Sequence, residues 1–368
     1  VSHLLGRKGE ACPRTGGDTG QVDTAMRPSV QRMVESINPM AARTQVLEPL
    51  FAAQRMLALI EGAETTGLLS ALADGATVEQ VAEQSGQSLA AAHAIVAALR
   101  SGEVVEAHGN EFRLTALWAA LRSEASFFSF PVALAGDRIK AGQLRRVAEG
   151  DSYWTSSPDE QVAMAAAVSP DPVAGGFIHI IKQHLADGHP YALAVRDATS
   201  VLELGCGLAG ATLSQLRVYP DLQVVGVEIS EHLAAEAVRR AEMVGVADRF
   251  TMVVGDAVDY REDRDFDVGF WSQFFFAADK REAAMQVLFD HVRSGGIVAA
   301  PGRWFDVETD PTGPIAQDYL LFRVLAQASD VPERDPAQLI AELESAGFTD
   351  PRVTRGGPSQ FMVVVTRP

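Results

Sequence analysis

Short apolar runs alternate with amphipathic helical periods through the second half of the chain. The runs that predict strands lie at 201–204, 223–227, 250–254, 266–271 and 297–300. Helical periods between them lie at 211–218, 231–244 and 281–292, and Ser294-Gly295-Gly296 predicts a turn before the last of these strands. Strands joined by helices run parallel, so the pattern predicts an α/β fold with a doubly wound sheet. A further helix is predicted at 336–346, and strands are predicted at 352–354 and 361–365.

The first half of the chain is predicted to be mostly helical. Helices at 30–60, 65–72, 78–85 and 89–99 lead into a hairpin with strands at 104–107 and 111–114. Thr77 and Ser88 stand where N-caps are expected, and Gly86 stands where the third helix must end. Three helices followed by a hairpin is the plan of a winged helix. Further helices are predicted at 117–121, 127–147 and 158–168.

These patterns divide the chain into three parts. Residues 1–28 have no apolar period, which predicts a disordered extension, and Met26 within it is a candidate start of translation. Residues 29–195 form the helical, winged-helix part, which we expect to pack against a second copy and to cover the substrate. Residues 196–368 carry the predicted sheet.

Composition and charge exclude several classes of protein. The net charge is −17, and the candidate recognition helix at 89–100 is mostly alanine, so a nucleic-acid partner is not expected. No run approaches the ~18 apolar residues of a membrane span. The two cysteines, Cys12 and Cys206, imply no disulfide framework, which suits a reducing cytoplasm. Three histidines spaced by five residues, His179, His184 and His189, do not share a helix face, and no metal site is expected.

The glycine-rich turn after the first predicted strand of the sheet is the strongest chemical signal. Gly205, Gly207 and Gly210 satisfy the spacing of a dinucleotide-binding turn. Glu203 argues against a dinucleotide, because its carboxylate would repel a pyrophosphate held over the turn. S-adenosylmethionine carries a sulfonium and an ammonium and no phosphate, so it would tolerate that acid. A dinucleotide therefore remains the second interpretation.

Carboxylates follow two neighbouring strands at the same predicted edge of the sheet. Glu228 ends the second strand, where a carboxylate can accept both hydroxyls of a ribose. Asp256 ends the third strand, where a carboxylate can accept the amino group of adenine. Ser272 ends the fourth strand, facing the reacting group.

The predicted site has a cofactor set and a substrate set. The cofactor set comprises Glu203, Gly205, Cys206, Gly207, Glu228, Ile229, Gly255, Asp256, Ala257, Trp271 and Ser272. The candidate substrate set comprises Tyr153, Trp154, His179, Gln273, Phe276 and Arg303. Tyr153 and Trp154 are candidates because they lie in a polar loop, and Arg303 because it could bind a substrate carboxylate.

The ordered motifs resemble those of class I S-adenosylmethionine-dependent methyltransferases. They are Glu203-x-Gly205-x-Gly207, Glu228, Gly255-Asp256-Ala257, Asp267 with its apolar strand, and Ser294-Gly295-Gly296. Residues 77–114 are similar to the dimerisation domain of the small-molecule O-methyltransferases of secondary metabolism. The resemblance implies a Rossmann-like sheet of seven strands that ends in an antiparallel hairpin, with S-adenosylmethionine as cofactor. It also implies a homodimer formed through the N-terminal half and a small-molecule or modified-peptide acceptor.

The sequence departs from that family at two positions. Ala209 replaces the third family glycine, a small change that the turn should tolerate. Phe276 stands where the family's general-base histidine is expected, so the catalytic residue remains unassigned. An acceptor already ionised, such as a carboxylate, needs no base, and oxygen is favoured over carbon or nitrogen as the acceptor atom. The alternatives are an NAD(P)-dependent oxidoreductase and a protein of this fold that no longer methylates, such as an isomerase or cyclase.

Overall fold

The computed structural model of the protein describes residues 37–368. They form two compact units, which divide after Ala58. The predicted extension 1–28 and the start of the predicted helix 30–60 lie outside the described residues. The unit before the division contains helix α1 (Pro39–Ala42), a π-helical turn (Arg43–Leu47) and the beginning of α2 (Glu48–Thr65).

Three helices and a hairpin follow α2, in the predicted order. They are α3 (Leu68–Ala73), α4 (Val78–Ser85), α5 (Leu89–Ser101), β1 (Val105–His108) and β2 (Glu111–Leu114). Thr77 Oγ1 accepts a hydrogen bond from the Gln80 amide, and the Gln80 side chain accepts one from the Thr77 amide. This capping box fixes the start of α4, as the sequence predicted. Gly86, at a φ of 64°, ends that helix.

Five helices connect the hairpin to the sheet. They are α6 (Ala116–Arg122), α7 (Phe130–Arg146), α8 (Pro158–Ala166), α9 (Gly176–Ala186) and α10 (Pro190–Asp197), with a 3₁₀ turn (Tyr153–Thr155) between α7 and α8. The predicted start of α7 at Phe127 is wrong. The helix begins at Phe130, because Pro131 lacks an amide proton and suits only the first turn.

Seven strands form one mostly parallel sheet, which confirms the predicted fold class. They are β3 (Ser200–Leu204), β4 (Gln223–Glu228), β5 (Phe250–Val254), β6 (Phe266–Trp271), β7 (Val292–Arg303), β8 (Thr349–Gly357) and β9 (Gln360–Thr366). Their order is β5-β4-β3-β6-β7-β9-β8, with β3 to β7 parallel and β9 antiparallel to both neighbours. The strands are added outward from β3 on one side and from β6 on the other, so the topological switch point, where α/β sheets bind ligands, lies between β3 and β6.

Helices cover both faces of this sheet. They are α10 together with α11 (Gly210–Val218), α12 (Glu231–Met243), α13 (Arg281–His291) and α15 (Pro336–Ser345), while α14 (Pro314–Ala328) follows β7. Val201 packs with α10, α11 and α12 on one face, and its neighbour Leu202 packs with α13 and α15 on the other. No helix within residues 37–368 is both long enough and apolar enough to cross a membrane.

The segment 294–296 differs from its prediction. The sequence predicts a turn there before the strand, but β7 is continuous from Val292 to Arg303. Val292 pairs with Phe266 of β6, and Ile297 pairs with Val268. Residues 293–296 of β7 therefore lie opposite the single residue between those partners and form a bulge. Gly295 has a φ of 76° and donates its amide proton to the carbonyl of Arg367 at 2.8 Å. The two glycines therefore shape a bulge within the strand.

Asp267 lies at the amino end of β6, at the edge of the sheet opposite the glycine turn. Its carboxylate accepts hydrogen bonds from the Thr199 amide at 2.8 Å, the Ser200 amide at 3.1 Å and Arg293 Nε at 2.7 Å. Burial opposes ionisation of Asp267, but the hydrogen bonds from Arg293 and Thr199 outweigh it and hold the pKa of this carboxyl well below its usual range. These hydrogen bonds to Asp267 connect the starts of β3, β6 and β7.

We expect Asp267→Asn to lower the free energy of unfolding at neutral pH. We also expect that free energy to fall less in the variant than in the wild type as the pH is lowered. A carboxyl with a depressed folded-state pKa stabilises the fold above its unfolded pKa of about 3.9, and that stabilisation is lost as the pH falls through the lower folded value. Urea unfolding at pH 7 and pH 3 should show a clear deficit of the variant at pH 7 and a smaller one at pH 3. The exposed Asp248→Asn is the control, and a deficit that does not change with pH would contradict the assignment.

Candidate cofactor site

The turn between β3 and α11 is hydrogen-bonded to the neighbouring strand. The amides of Gly205 and Cys206 both donate to the carbonyl of Val227, at 2.9 and 3.1 Å. Gly205 has a φ of 69°, and a Cβ built there would lie 2.9 Å from Phe276 Cε2, so both the backbone and the close ring favour glycine. Ala209 adopts the left-handed region at a φ of 52°, as the N-cap of α11.

Glu228 places a carboxylate directly against the glycine turn. It is the last residue of β4 and is 7% exposed. One carboxylate oxygen accepts the Gly207 amide proton at 2.9 Å, and the other accepts the Ser230 amide proton at 2.9 Å. Burial raises the pKa of Glu228, although these backbone hydrogen bonds partly offset it. An amide that a pyrophosphate would need is therefore already bonded to an acid.

Glu203 lies behind the turn. It is 4% exposed and accepts a hydrogen bond from Thr212 of α11. Burial raises the pKa of Glu203 to about 7, with the Thr212 hydrogen bond lowering it and the charge of Glu228 raising it. The Glu203 carboxyl group therefore changes its protonation near neutral pH. When it is ionised, it places a negative charge behind the turn.

The beginning of α11 is covered by the chain. Gly210 donates its amide proton to Ser169 Oγ at 3.2 Å. A Cβ built at Gly210 would lie 2.0 Å from the carbonyl oxygen of Pro170. The helix amino terminus therefore faces protein oxygen atoms, which repel an anion, although open helix termini commonly bind phosphate.

A cavity of about 270 Å³ opens over the turn. Gly205, Gly207, Glu228 and Asp256 line it. Its lining also includes Ile229, Leu233 and Ala257, which provide an apolar wall beside the acids. An apolar wall next to paired acids fits a planar base joined to a ribose.

Asp256 has a cationic neighbour that the sequence analysis missed. Its carboxylate accepts a hydrogen bond from Lys280 Nζ at 3.0 Å and one from the Val258 amide at 3.2 Å. Lys280 lies just before α13 and lines the cavity. Its side chain comes from an element whose place in space the sequence pattern does not specify. Leu233, in the first turn of α12, was missed for the same reason.

Aromatic side chains close the other side of the cavity. Tyr153 packs edge-on against Trp154, with ring centroids 5.2 Å apart, and lies 6.0 Å from the ring of Phe275. Phe276 lines the cavity next to Gly205. Burial, and secondarily the charge of Glu228, raises the pKa of Tyr153 above its ordinary value. Tyr153 therefore stays protonated at neutral pH and cannot serve as a base there.

Some predicted cofactor residues support the cavity from outside its lining. Cys206 is buried, and burial raises the pKa of its thiol well above the ordinary value. Gly255 donates its amide proton to the Glu228 carbonyl at 2.9 Å, and Ser272 donates its own to the Leu204 carbonyl at 3.1 Å. Trp271 is fully buried beneath the guanidinium of Arg281. Their contacts with protein hold the strand ends in place.

Three predicted substrate residues also lie away from this cavity. His179 is on α9 and does not contribute to the described lining. The Gln273 side chain is held between the Pro301 carbonyl, to which it donates at 3.0 Å, and Arg281, from which it accepts at 2.8 Å. Arg303 lines a second cavity. Tyr153, Trp154 and Phe276 do line the cavity over the glycine turn.

Comparison with known proteins agrees with this geometry. The family described as a methyltransferase domain matches residues 201–296. The sterol 24-C-methyltransferase erg6 of Aspergillus fumigatus is 24% identical over 108 residues, which are 29% of this chain and 28% of that protein. The chain thus spans less than a third of the length of this curated relative.

Solved structures resemble the whole described fold. Human N-acetylserotonin methyltransferase, solved in complex with SAM, has a TM-score of 0.67 at 16% identity, covering 90% of this chain and 99% of that one. Mitomycin 7-O-methyltransferase MmcR has a TM-score of 0.61 at 19% identity, covering 89% and 99%. The pyocyanin biosynthetic protein PhzM has a TM-score of 0.64 at 18% identity, covering 90% and 100%. Together they show that the chain has the class I methyltransferase fold.

We expect Gly210→Ala to destabilise the protein by about 1–3 kcal/mol, because the added methyl group meets the backbone carbonyl of Pro170. Gly255→Ala is the matched control, since a Cβ there has no heavy atom within 4 Å among the described residues. Thermal unfolding should show a lower midpoint for the first variant and little change for the second. Equal midpoints would mean that segment 169–170 does not close over the helix.

Proposed function

The chain carries a methyltransferase domain, and from that premise we propose that it transfers a methyl group from S-adenosylmethionine to a small-molecule or modified-peptide acceptor. The observation that carries the proposal is the hydrogen bond from the Gly207 amide to Glu228, with Glu203 buried behind it. Two acids at the turn favour a cationic ligand without phosphate. An NAD(P) cofactor would need its diphosphate at the amino terminus of α11, where Ser169 Oγ and the Pro170 carbonyl lie.

The cavity residues fit an adenosyl group, with a role for each. Glu228 would accept the ribose hydroxyls, and Asp256 would accept the adenine amino group. Gly205 and Gly207 would lie beneath the methionyl part, near the field of Glu203. Ile229 and Leu233 would contact the base. When bound, S-adenosylmethionine supplies an electrophilic methyl group on a positively charged sulfur.

The aromatic wall supports a reaction that depends on position rather than on a protein base. Tyr153, Phe275 and Phe276 line the cavity, and the faces of aromatic rings attract a sulfonium. An acceptor held in line with the methyl carbon and the sulfur gains much of its rate from alignment. Oxygen, including carboxylate oxygen, is the favoured acceptor atom, and carbon or nitrogen is second. Phe276 in place of a histidine favours one further candidate, a protein of this fold that binds the cofactor without methylating.

We also propose an oligomeric state, a biological role and a cellular location for the protein. Apolar side chains exposed on the N-terminal helices, such as Leu117 at 79% exposure, support a homodimer formed through the N-terminal half. A role in secondary metabolism is proposed from the printed descriptions of the structural neighbours, MmcR and PhzM. A cytoplasmic location is proposed from the free, buried thiol of Cys206.

We expect Glu228→Ala to weaken binding of S-adenosylhomocysteine by about 10- to 100-fold, because hydrogen bonds to a charged group are worth about 1.5–3 kcal/mol. Isothermal titration calorimetry measures the loss. The exposed Glu231→Ala, on the first residue of α12, should bind as the wild type does. Unchanged affinity in Glu228→Ala, or NADH binding with affinity similar to that of S-adenosylhomocysteine, would contradict the proposal.

The affinity for S-adenosylmethionine should rise with pH, because the pKa of Glu203 is raised to about 7 and the ionised form favours a cationic ligand. Ionisation between about pH 6 and about pH 8 can contribute up to about tenfold. Calorimetry at both pH values should show a smaller rise in Glu203→Gln than in the wild type. The ligand's own titration affects both proteins equally, so identical pH dependence would exclude this role for Glu203.

A further inference from the structure

A second, smaller cavity lies at the carboxyl end of β7, next to the cavity over the glycine turn. It encloses about 20 Å³, enough for a small polar group but too little for an entire acceptor. Phe274 lines this cavity, and the next residue, Phe275, lines the larger one. Both belong to one short 3₁₀ turn (Gln273–Phe275), so only that turn need separate the two spaces.

The lining of the smaller cavity is cationic, although the net charge of the chain is −17. Arg303, Arg323 and Arg334 contribute three guanidinium groups, and Glu333 is the single carboxylate among the described lining residues. Arg334 is also neutralised from outside by Glu342, at 2.6 Å. Of the remaining two arginines, Arg323 pairs with Glu333 and Arg303 pairs with the exposed Asp318.

Arg303 and Arg323 each keep an unused donor. Their Nε atoms are buried and find no hydrogen-bond acceptor among residues 37–368. Arg303 Nη2 pairs with Asp318 at 2.6 Å, but the Asp318 side chain is 72% exposed and can turn into solvent. Arg323 Nη2 pairs with Glu333 at 2.6 Å. Buried unsatisfied donors are rare in folded proteins, and the Nε–Nη2 edge of a guanidinium is the edge that binds a carboxylate in two parallel hydrogen bonds.

Arg303 is held in place for such a ligand. Its guanidinium lies over the ring of Phe322, 4.6 Å from the centroid. Lys140 of α7 adds a positive charge nearby, since α7 packs against α14. Burial lowers the pKa of Lys140, Asp137 raises it, Arg303 lowers it, and Asp318 raises it. The Asp137 and Asp318 carboxylates therefore balance the charges of Lys140 and Arg303, so an anion site depends on the unused Nε donors and on Asp318 turning into solvent.

We propose that the cavity at Arg303 and Arg323 binds a carboxylate of the acceptor, which is therefore an organic acid. This inference rests on the proposed function and specifies its substrate class. The carboxylate bound here is a recognition group and is not the methylated atom, which must reach the larger cavity past Phe274 and Phe275. The aromatic side chains of Phe274, Tyr319 and Phe322 around the cavity favour a planar, aromatic acid.

Benzoate and its neutral amide, benzamide, test this site on the full chain. Calorimetry with S-adenosylhomocysteine present should show that benzoate binds at least tenfold more tightly than benzamide. Arg303→Gln should remove that preference, because a neutral side chain cannot pair with the carboxylate. Lys140→Gln, a less packed position, should reduce it in part. The exposed Arg145→Gln, on the same helix as Lys140, should leave it unchanged.

The measurements distinguish failure of the carboxylate site from failure of the proposed methyltransferase function. Equal binding of benzoate and benzamide to the wild type, or a preference that survives in Arg303→Gln, overturns the carboxylate site. S-adenosylhomocysteine binding to each variant shows that the variant is folded and tests the proposed function separately. A protein that binds benzoate as expected but no adenosyl compound would retain the anion site and lose the methyltransferase assignment.

Discussion

The cofactor site depends on one hydrogen bond, from the Gly207 amide to the carboxylate of Glu228. It exists because β4 lies beside β3 in parallel register, with Leu204 opposite Val227, so that the residue after Val227 reaches the turn that follows Leu204. The bond fixes the carboxylate beside the glycine turn, where it can accept the hydroxyls of a ribose. Glu203 behind the turn and the Pro170 carbonyl over the start of α11 disfavour a diphosphate there.

The strand ends could be predicted from the sequence because parallel strands bring their carboxyl ends to one edge. Glu228 and Asp256 were therefore expected to lie near the glycine turn, and both line the cavity. The periodicity does not specify how helices pack over that edge. Lys280 and Leu233 were missed for that reason. Gln273 was expected to face the acceptor, but Arg281 and the Pro301 carbonyl hold its side chain outside the lining of this cavity.

The N-terminal half contributes more to the site than its pattern alone could establish. Tyr153 and Trp154 belong to a 3₁₀ turn far from the glycine turn in sequence, yet they form one wall of its cavity. The Tyr153 amide also donates to Ser329 Oγ at 3.3 Å, which links this wall to the end of α14. The prediction for Gly295 and Gly296 was wrong. Local propensity predicted a turn, but pairing of β7 with β9 and β6 makes these residues part of a bulge within the strand. Long-range pairing overrode local preference there.

The chemistry follows from what surrounds the cavity. Acids, apolar side chains and aromatic rings line the cavity over the glycine turn, and guanidinium groups lie one 3₁₀ turn away. Such a site would select its acceptor by charge and would align it without a histidine. The most direct test of the central claim is an electron-density map of the protein crystallised with S-adenosylhomocysteine. The account predicts ribose hydroxyls on the Glu228 carboxylate and adenine beside Ile229. Density for the adenosyl group elsewhere, with Glu228 still closed onto Gly207 and the cavity empty, would contradict it.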